Sequence, residues 1–200
     1  SWHDERAEHL IKVLHKNEGG SFTAGIIEGK AGTAVITHIA PKEYIEFSFT
    51  PEKDGKLLYP LKLIIGFPRP IQLKRLLRDV AGLGASDVYL TGTELSEKSY
   101  LQSTLVERGA AYQMLLDGTV QAGGTHVPKL HIHKTLSECL GAVAENKEQV
   151  QLKIALDNVG SPSSLQNFLA RHTDKTVGGK TPSIIAAIGS LGIAVLLMVI

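Results

Sequence analysis

The sequence predicts an α/β protein in which a small antiparallel β domain precedes a larger domain built on a mainly parallel sheet. Three segments between residues 22 and 49 alternate apolar and polar side chains and are joined by short turns, which is typical of a small antiparallel barrel or sheet. From Leu61 onward, short apolar runs alternate with helical stripes, a pattern typical of a parallel sheet covered on both faces. The polar segment 51–56 contains proline and glycine and separates the two patterns. We therefore predict domains at residues 1–56 and 57–200.

The first domain is predicted to begin with a helix and to continue as strands. A helical stripe predicts a helix over about residues 4–15 that ends before Gly19 and Gly20. The stripe consists of Ala7, Leu10, Ile11 and Leu14. A hairpin turn is predicted at 28–32. Strands are expected at 22–27, 33–39 and 44–49.

The second domain is predicted to alternate strands and helices. Pro70 can occupy the first position of a helix that ends at Gly82 and Gly84. Its apolar stripe consists of Leu73, Leu76, Leu77 and Val80. Thr135 and Glu138 have the spacing of a capping box for a helix that runs to about residue 143. Further helices are expected within 97–122 and from 161, and strands at 61–66, 87–91, 129–133, 151–156 and 183–188.

The composition excludes several classes of protein. The chain has 200 residues, of which 43% are hydrophobic and 20% charged, so it can bury a core and is not disordered. Its 21 basic and 20 acidic residues exclude a strongly basic nucleic-acid clamp, and any RNA contact must come from a local patch. The single cysteine, Cys139, excludes a disulfide scaffold and fits a reducing cytoplasm. It lies in an apolar helix and is expected to pack rather than to act as a nucleophile.

One predicted helix carries a cluster of cations. Arg69 stands just before this helix, and Lys74, Arg75 and Arg78 share its polar face. Such cations can contact the phosphates of RNA. The same pattern also fits a solvated helix face with Asp79 beside it. The spacing alone leaves both interpretations open.

Two motifs suggest ligands but lack essential parts. His131 and His133 share one face of a strand near His126, but no nearby carboxylate or cysteine completes a tetrahedral set. We therefore predict no metal site and expect surface or partly buried histidines. Residues 178–181 resemble the end of a phosphate-binding loop. Asp174 replaces the glycine that this loop needs, and a strand follows instead of a helix, which excludes the motif.

Two predicted strands end in polar turns that contain glycine. Leu156 is followed by Asp157, and Ile188 by Gly189 and Ser190. In open α/β sheets, ligands bind in the crevice at the carboxyl ends of the strands. These two strand ends could therefore form the walls of one pocket.

The uncharged run 184–200 permits two interpretations. It could be a membrane tail anchor, but it is at the short limit for a span, two glycines interrupt it, and no basic flank follows. A buried strand followed by a buried helix is favoured. We therefore expect no membrane contact.

Four segments, taken in order, resemble one family of bacterial enzymes. They are 4–15 with Glu18-Gly19-Gly20, Arg69–Gly84, Gln121–Pro128 and Ile188-Gly189. The helical segment Arg69–Gly84 is similar to a helix that ends in Glu-Leu-Gly. The segment Gln121–Pro128 resembles Glu-Gln-x-x-Arg-x-x-x-Pro, and Ile188-Gly189 resembles the turn Ile-Gly-Pro-Glu-Gly-Gly. All these motifs are found in the RsmE family, methyltransferases that act on N3 of a uridine in 16S ribosomal RNA. The resemblance covers nearly the whole chain.

The resemblance implies a fold, a cofactor and a partner. A PUA-like β-barrel that binds RNA would precede a SPOUT-type domain, an α/β knot methyltransferase whose trefoil knot holds S-adenosylmethionine. The chain would act as a cytoplasmic homodimer on 16S rRNA or the small ribosomal subunit. The implied cofactor-binding residues are Leu156, Asp157, Ile188, Gly189, Ser190, Leu191 and Gly192. The implied RNA-binding residues are Arg6, Lys12, Arg69, Lys74, Arg75 and Arg78. No catalytic base is indicated.

The chain departs from the family pattern in two ways. Gly82 and Val120 stand where the family has glutamate, and Gly124 stands where it has arginine. After residue 190, the family continues with a turn, a helix, a strand and a closing helix, but only eleven residues follow Gly189 here. They span at most about 35–40 Å, which is too short for those elements. We therefore expect that residues 190 and 191 are not neighbours in the complete protein, and that most of the cofactor cradle belongs between them.

The leading prediction is a methyltransferase that uses S-adenosylmethionine to methylate N3 of a uridine in 16S rRNA. The alternative is a non-catalytic RNA-binding protein, with the same barrel and basic helix on a degenerate, unknotted α/β domain. A tail-anchored membrane protein comes third. Cofactor binding separates the first two.

Overall fold

The computed structural model describes residues 4–92, 109–144, 151–156, 161–172 and 183–188. It divides the chain into two compact units. The first unit is formed by residues 1–56 with 124–126, and the second by 57–123 and 127–200.

The first unit contains a three-stranded antiparallel sheet in the order β1-β2-β3. Its strands are β1 Ser21–Gly25, β2 Ala31–Ala40 and β3 Tyr44–Lys53.

The predicted helix over 4–15 is shorter and irregular, because α1 spans Glu5–Glu8 and a wider π-helical turn follows at His9–Val13. The predicted linker from residue 51 is wrong at its start, since β3 continues to Lys53 and Pro51 pairs with Gly32. A Cβ atom on Gly32 would lie 2.0 Å from the carbonyl oxygen of Thr50, so this pairing requires glycine.

The segment 18–20 is attached to β2 by hydrogen bonds. The Glu18 carboxylate accepts a bond of 2.8 Å from the backbone N–H of Ile39 and lies 2.9 Å from His38 Nδ1. These contacts, the backbone bond above all, lower the pKa of Glu18. The N–H of Gly19 donates to the carbonyl of Ile36 at 2.8 Å, and the N–H of Ile36 donates to Gly20 at 3.0 Å.

A short segment far along the chain also joins the first unit. Thr125 donates from its hydroxyl to the carbonyl oxygen of Gly29 at 2.8 Å, and its own carbonyl accepts a bond of 2.9 Å from the N–H of Glu28. His126 Nδ1 lies 3.1 Å from the carbonyl oxygen of Lys56. Residues 124–126 therefore connect the β1–β2 turn to Lys56 through hydrogen bonds.

The second unit is a five-stranded parallel sheet in the order β6-β5-β4-β8-β7. The strands are β4 Tyr59–Gly66, β5 Ala85–Thr91, β6 Lys129–His133, β7 Gln151–Ala155 and β8 Ser183–Ile188. Within the described residues of this unit, the helices are α2 Pro70–Leu83, α3 Ala110–Gln121, α4 Leu136–Ala144 and α5 Leu165–His172. The prediction of an α/β protein with a parallel sheet is confirmed.

Side chains that alternate along β4 show that both faces of this sheet are covered. Leu63 and Ile65 pack into one apolar cluster with α2 and α3, to which Leu77 and Leu115 contribute. Ile64 points the other way. It packs into a second cluster with Tyr89, Cys139, Val143 and Ile185. The near-continuous apolar run of β4 follows from this double burial.

Of two predicted helix starts, the one at Thr135 is confirmed and the one at residue 161 is wrong. Thr135 accepts the N–H of Glu138 at 3.2 Å, as in a capping box, but the Glu138 carboxylate returns to the N–H of Lys134 at 3.1 Å. The predicted start at residue 161 is wrong. Helix α5 begins at Leu165, because the hydroxyl of Ser164 accepts the N–H of Asn167 at 3.2 Å and caps it.

Several predictions extend past the described residues. Within the helical region predicted at 97–122, the structure describes α3 from Ala110 onward. Of the run 184–200, it describes the strand that ends at Ile188, and the rest lies outside the described residues. Among the helices described, none has the length and apolarity needed to cross a membrane.

Helices α2 and α3 approach each other closely at a glycine. A Cβ atom on Gly118 would lie 2.3 Å from the carbonyl oxygen of Arg78, which is far inside van der Waals contact. On the facing helix, a Cβ atom on Gly82 would meet only the Gly118 carbonyl oxygen, at 3.9 Å. The helix crossing therefore requires glycine at position 118 but not at position 82.

We expect Gly118→Ala to lower the free energy of unfolding by about 1–3 kcal/mol, because the new methyl group forces the two helices apart. Gly82→Ala is the matched control. It should leave stability unchanged or raise it by up to about 1 kcal/mol, since alanine is the better helix former. Urea unfolding followed by circular dichroism measures both. Equal stability of the two variants would contradict the close crossing.

The buried thiol of Cys139 should resist alkylation. Burial raises the pKa of Cys139 to about 11, so at pH 8 about one thiol in a thousand is ionised, against roughly a quarter in an unfolded chain. We expect iodoacetamide to modify the native protein far more slowly than the protein in guanidinium chloride, as measured by intact mass. Equal rates would show that the second core cluster does not protect this side chain.

Candidate cofactor and RNA-binding site

The carboxyl ends of all five parallel strands meet at one edge of the sheet. From β4, the chain adds β5 and then β6 on one side of this strand, whereas β7 and β8 lie on its other side. The direction in which the chain adds strands to the sheet therefore changes between β4 and β8. Ile65 of β4 pairs with Ile188 of β8 at this point. In open α/β sheets, the ligand crevice lies at such a change of direction, outside the carboxyl ends of the strands.

Backbone hydrogen bonds continue past the strand ends and order this edge. The N–H of Leu156 donates to the carbonyl of Ala187 at 3.0 Å, which holds the ends of β7 and β8 side by side. The N–H of Phe67 donates to Thr91 at 2.9 Å, and that of Gly92 to His133 at 3.3 Å. The sequence reasoning missed the end of β4 as part of this edge. The available signal in the sequence was the apolar Phe67 directly after the run 61–66, and the structure buries this side chain almost fully.

The structure brings together the two cofactor candidates that it describes. Leu156 is half-buried beside the end of β8, whose last residue is Ile188. The other five candidates lie outside the described residues: Asp157, Gly189, Ser190, Leu191 and Gly192. An adenine ring has apolar faces and an edge that forms hydrogen bonds, so a half-buried leucine beside strand-end backbone groups fits this part of S-adenosylmethionine.

The cations of α2 extend from this edge along one exposed helix face. Arg69 is exposed and lies directly before the helix, at the carboxyl end of β4. Lys74 and Arg75 are exposed too and form no ion pair within the described ranges. Arg78 is restrained, because its guanidinium lies 3.4 Å from the Asp117 carboxylate of α3. The four side chains thus share one surface, and three of them are free of a described acidic partner.

The two candidates in the first unit already have acidic partners. Arg6 donates from its side chain to both carboxylate oxygens of Asp4, at 2.9 and 2.6 Å. This pairing lowers the pKa of Asp4 and raises that of Arg6. Lys12 forms an ion pair with Glu8 one helical turn away. Both basic groups remain exposed, and an RNA phosphate would compete with these carboxylates for them.

Of the histidines predicted to be surface or partly buried, His131 has structural partners, whereas the buried Nε2 atom of His133 has no hydrogen-bond partner among the described residues. His131 Nε2 lies 3.0 Å from the Asp87 carboxylate, and its ring stacks on Tyr89 with centroids 4.3 Å apart. Asp87 also accepts a hydrogen bond of 2.8 Å from Ser86. Burial, together with the charge of Asp87, raises the pKa of Tyr89. Across the described part of the chain, no three His, Cys, Asp or Glu side chains are grouped so that they could hold a metal ion.

Known proteins resemble this chain in sequence and in fold. The family of RNA methyltransferase domains matches residues 56–192. Ribosomal RNA small subunit methyltransferase E of Treponema pallidum is 40% identical over 169 residues, which are 80% of this chain and 63% of that protein. Ribosomal RNA small subunit methyltransferase E 1 of Borreliella burgdorferi is 33% identical over 157 residues, which are 78% of this chain and 65% of that protein. The chain thus spans a little under two thirds of these relatives.

Solved structures share the fold at low sequence identity. The Neisseria gonorrhoeae ribosomal RNA small subunit methyltransferase E, bound to S-adenosylmethionine, has a TM-score of 0.65 at 17% identity and covers 93% of this chain and 72% of its own. A putative methyltransferase of Legionella pneumophila, in complex with the same cofactor, has a TM-score of 0.65 at 18% identity, with 94% and 72% covered.

The family match contains every strand of the parallel sheet, from Tyr59 to Ile188, and therefore the whole carboxyl edge described above. The resemblance to the RsmE family is confirmed by the curated relatives of that name. This chain belongs to the family of RNA methyltransferase domains.

Proposed function

We propose that the protein transfers a methyl group from S-adenosylmethionine to N3 of a uridine in 16S ribosomal RNA. The observation that carries this proposal is the family match across residues 56–192, which includes both the crevice edge and the cationic helix α2. Two relatives are named as small-subunit rRNA methyltransferases. Two structures of the same fold were determined with the cofactor bound.

The finer assignments of fold and assembly belong to the same proposal. The first unit would be a PUA-like barrel that binds RNA, and the three-stranded antiparallel sheet with its attached segment 18–20 supports this assignment. The second would be a SPOUT domain with a trefoil knot, and the position of β8 between β4 and β7 supports this. The protein would work as a homodimer in the cytoplasm, on the small ribosomal subunit or its RNA.

The cofactor would lie at the carboxyl ends of β7 and β8. Leu156 and Ile188 would hold it together with the residues that follow them in the sequence, namely Asp157, Gly189, Ser190, Leu191 and Gly192. When bound, S-adenosylmethionine supplies a methyl group activated by its positively charged sulfur. The chain's own task is to place the uridine N3 in line with that methyl group and to let the N3 proton leave.

The cations of α2 would hold the RNA backbone for this reaction. Arg69 lies at the same sheet edge as the cofactor residues, so a phosphate bound there would bring the RNA to the crevice. Lys74 and Arg75 continue the contact along the helix. Arg78 is partly neutralised by Asp117 and would contribute less to the attraction of phosphates.

A second candidate function is RNA binding without catalysis. The exposed cations of α2 favour it, because they can bind phosphates whether or not a cofactor occupies the crevice. Cofactor binding and methyl transfer separate the two functions.

We expect the protein to bind S-adenosylmethionine in isothermal titration calorimetry, and Leu156→Ala to weaken binding by about tenfold through the loss of buried apolar contact. Leu165→Ala is the matched control, because Leu165 is 45% exposed at the start of α5. Equal affinities of the two variants for S-adenosylmethionine would show that Leu156 does not contact the cofactor.

The calorimetric titration of S-adenosylmethionine and an assay of methyl transfer together decide between the two candidate functions. Methylation of a small-subunit rRNA fragment at uridine N3, detected by mass spectrometry, would support the enzyme. An absence of both cofactor binding and methyl transfer, with RNA binding retained, would leave the non-catalytic function.

We expect the double variant Arg69→Ala, Arg75→Ala to bind rRNA fragments more weakly and with a smaller salt dependence. The slope of log K against log salt should fall by roughly 1 for each lost phosphate contact. The control Lys129→Ala, Arg171→Ala removes the same charge from other exposed positions of the second unit. If both double variants bind alike, α2 is a solvated helix face.

A further inference from the structure

We propose that a cavity between the carboxyl-terminal halves of α2 and α3 binds an unpaired nucleobase of the RNA whose phosphates lie along α2. This inference rests on the proposed RNA binding and adds a second, non-reacting contact to it. The base would be read at a distance from the crevice where methyl transfer is proposed.

The cavity exists because two glycines face each other across the helix crossing. It is a shallow cavity that is largely open to solvent, with a volume of about 400 Å³, and Gly82 and Gly118 form part of its wall. Gly118 brings the helices together, as its close approach to the Arg78 carbonyl shows. Gly82 leaves space, since a Cβ atom there would find its nearest neighbour at 3.9 Å.

The cationic face of α2 leads directly to this cavity. Lys74, Arg78 and Gly82 are spaced four residues apart and therefore lie along one side of the helix, which rises about 12 Å between the first and the last. An RNA strand held by Lys74 and Arg75 would continue past Arg78 to the opening.

The charges around the cavity fit a base better than a phosphate. Asp79 lines it and would repel a phosphate, whereas a carboxylate accepts hydrogen bonds from the N–H groups at the edge of a base. Gln121 lines the same space and offers both a donor and an acceptor. Leu83, which is 70% exposed, supplies an apolar surface.

Arg78 is held in place for a stacking contact. Its guanidinium lies 3.4 Å from the Asp117 carboxylate, and Asp117 in turn accepts a hydrogen bond of 2.9 Å from Gln113. This planar cation lines the cavity beside its contact with Asp117, and there it can stack on a base.

The cavity and the crevice lie at opposite edges of the sheet. Helices α2 and α3 run from the carboxyl ends of their preceding strands towards the amino ends of β5 and β6. The cavity is lined by the last turns of both helices, whereas Leu156 and Ile188 lie at the carboxyl edge. The bound nucleotide is therefore a different nucleotide from the methylated uridine, and the length of α2, about 21 Å, separates the two sites.

Filling the cavity tests the proposal. Gly82→Leu places a side chain in it, and Gly141→Leu makes the same change at an exposed position of α4, where a Cβ atom meets nothing within 4 Å. The probes are a single-stranded RNA of mixed sequence and inorganic polyphosphate, which has the charge but no bases. We expect Gly82→Leu to weaken RNA binding about fivefold or more with an unchanged salt slope. Polyphosphate binding should not change, and Gly141→Leu should bind both probes like the parent protein.

Other results would overturn the proposal. Unchanged RNA binding by Gly82→Leu would show that no base enters the cavity, while the proposed function would stand. An equal loss for RNA and polyphosphate would assign the cavity to phosphate. If the parent protein bound neither probe, RNA binding itself would fail. If Gly82→Leu does not fold, as judged by thermal unfolding, Gln121→Ala replaces it. This second variant should weaken RNA binding and leave polyphosphate binding unchanged. Unchanged RNA binding by Gln121→Ala would equally count against a base in the cavity.

Discussion

The arrangement of the second unit depends on the pairing of β8 between β4 and β7. This pairing joins strands that are more than a hundred residues apart in the chain, since Leu61 of β4 pairs with Ile184 of β8. It buries Ile185 against Ile64 on one face and Ala186 among the apolar side chains on the other. It also places the ends of β4, β7 and β8 next to each other, where the order of the strands changes direction. Without β8 in this position, Leu156 and Arg69 would not belong to one edge.

The close crossing of α2 and α3 has a comparable role on one face of the sheet. Gly118 allows the helices to touch at the backbone, and Asp117 thereby comes within reach of Arg78. One small residue thus sets both the packing of the core and the position of a cation on the surface. Gly82 leaves space on the other side of the same crossing, so the cavity and the arginine–aspartate pair lie at one place in the fold.

Much of the fold could be predicted because most of its elements have clear local patterns. The apolar stripe of α2 and the runs of β4, β5 and β6 are long or regular enough to identify from their period, and the structure confirms them. The errors occur where local signals compete. Ser161 and Ser164 are both good caps, and the latter begins the helix. Pro51 suggested a linker, but an edge strand of this sheet tolerates a proline, and β3 continues through it.

The sequence by itself determined the class of fold, the two patterns that meet near residue 56, the cationic face of α2 and the resemblance to an RNA methyltransferase family. These properties are carried by residues close together in the chain, by the period of apolar side chains or by short motifs. Only the tertiary structure decided that residues 124–126 join the first unit, that Arg69 shares an edge with Leu156, and that Arg78 pairs with Asp117 beside a cavity. Each of these depends on contacts between distant segments, and a contact of that kind leaves no period in either segment that forms it.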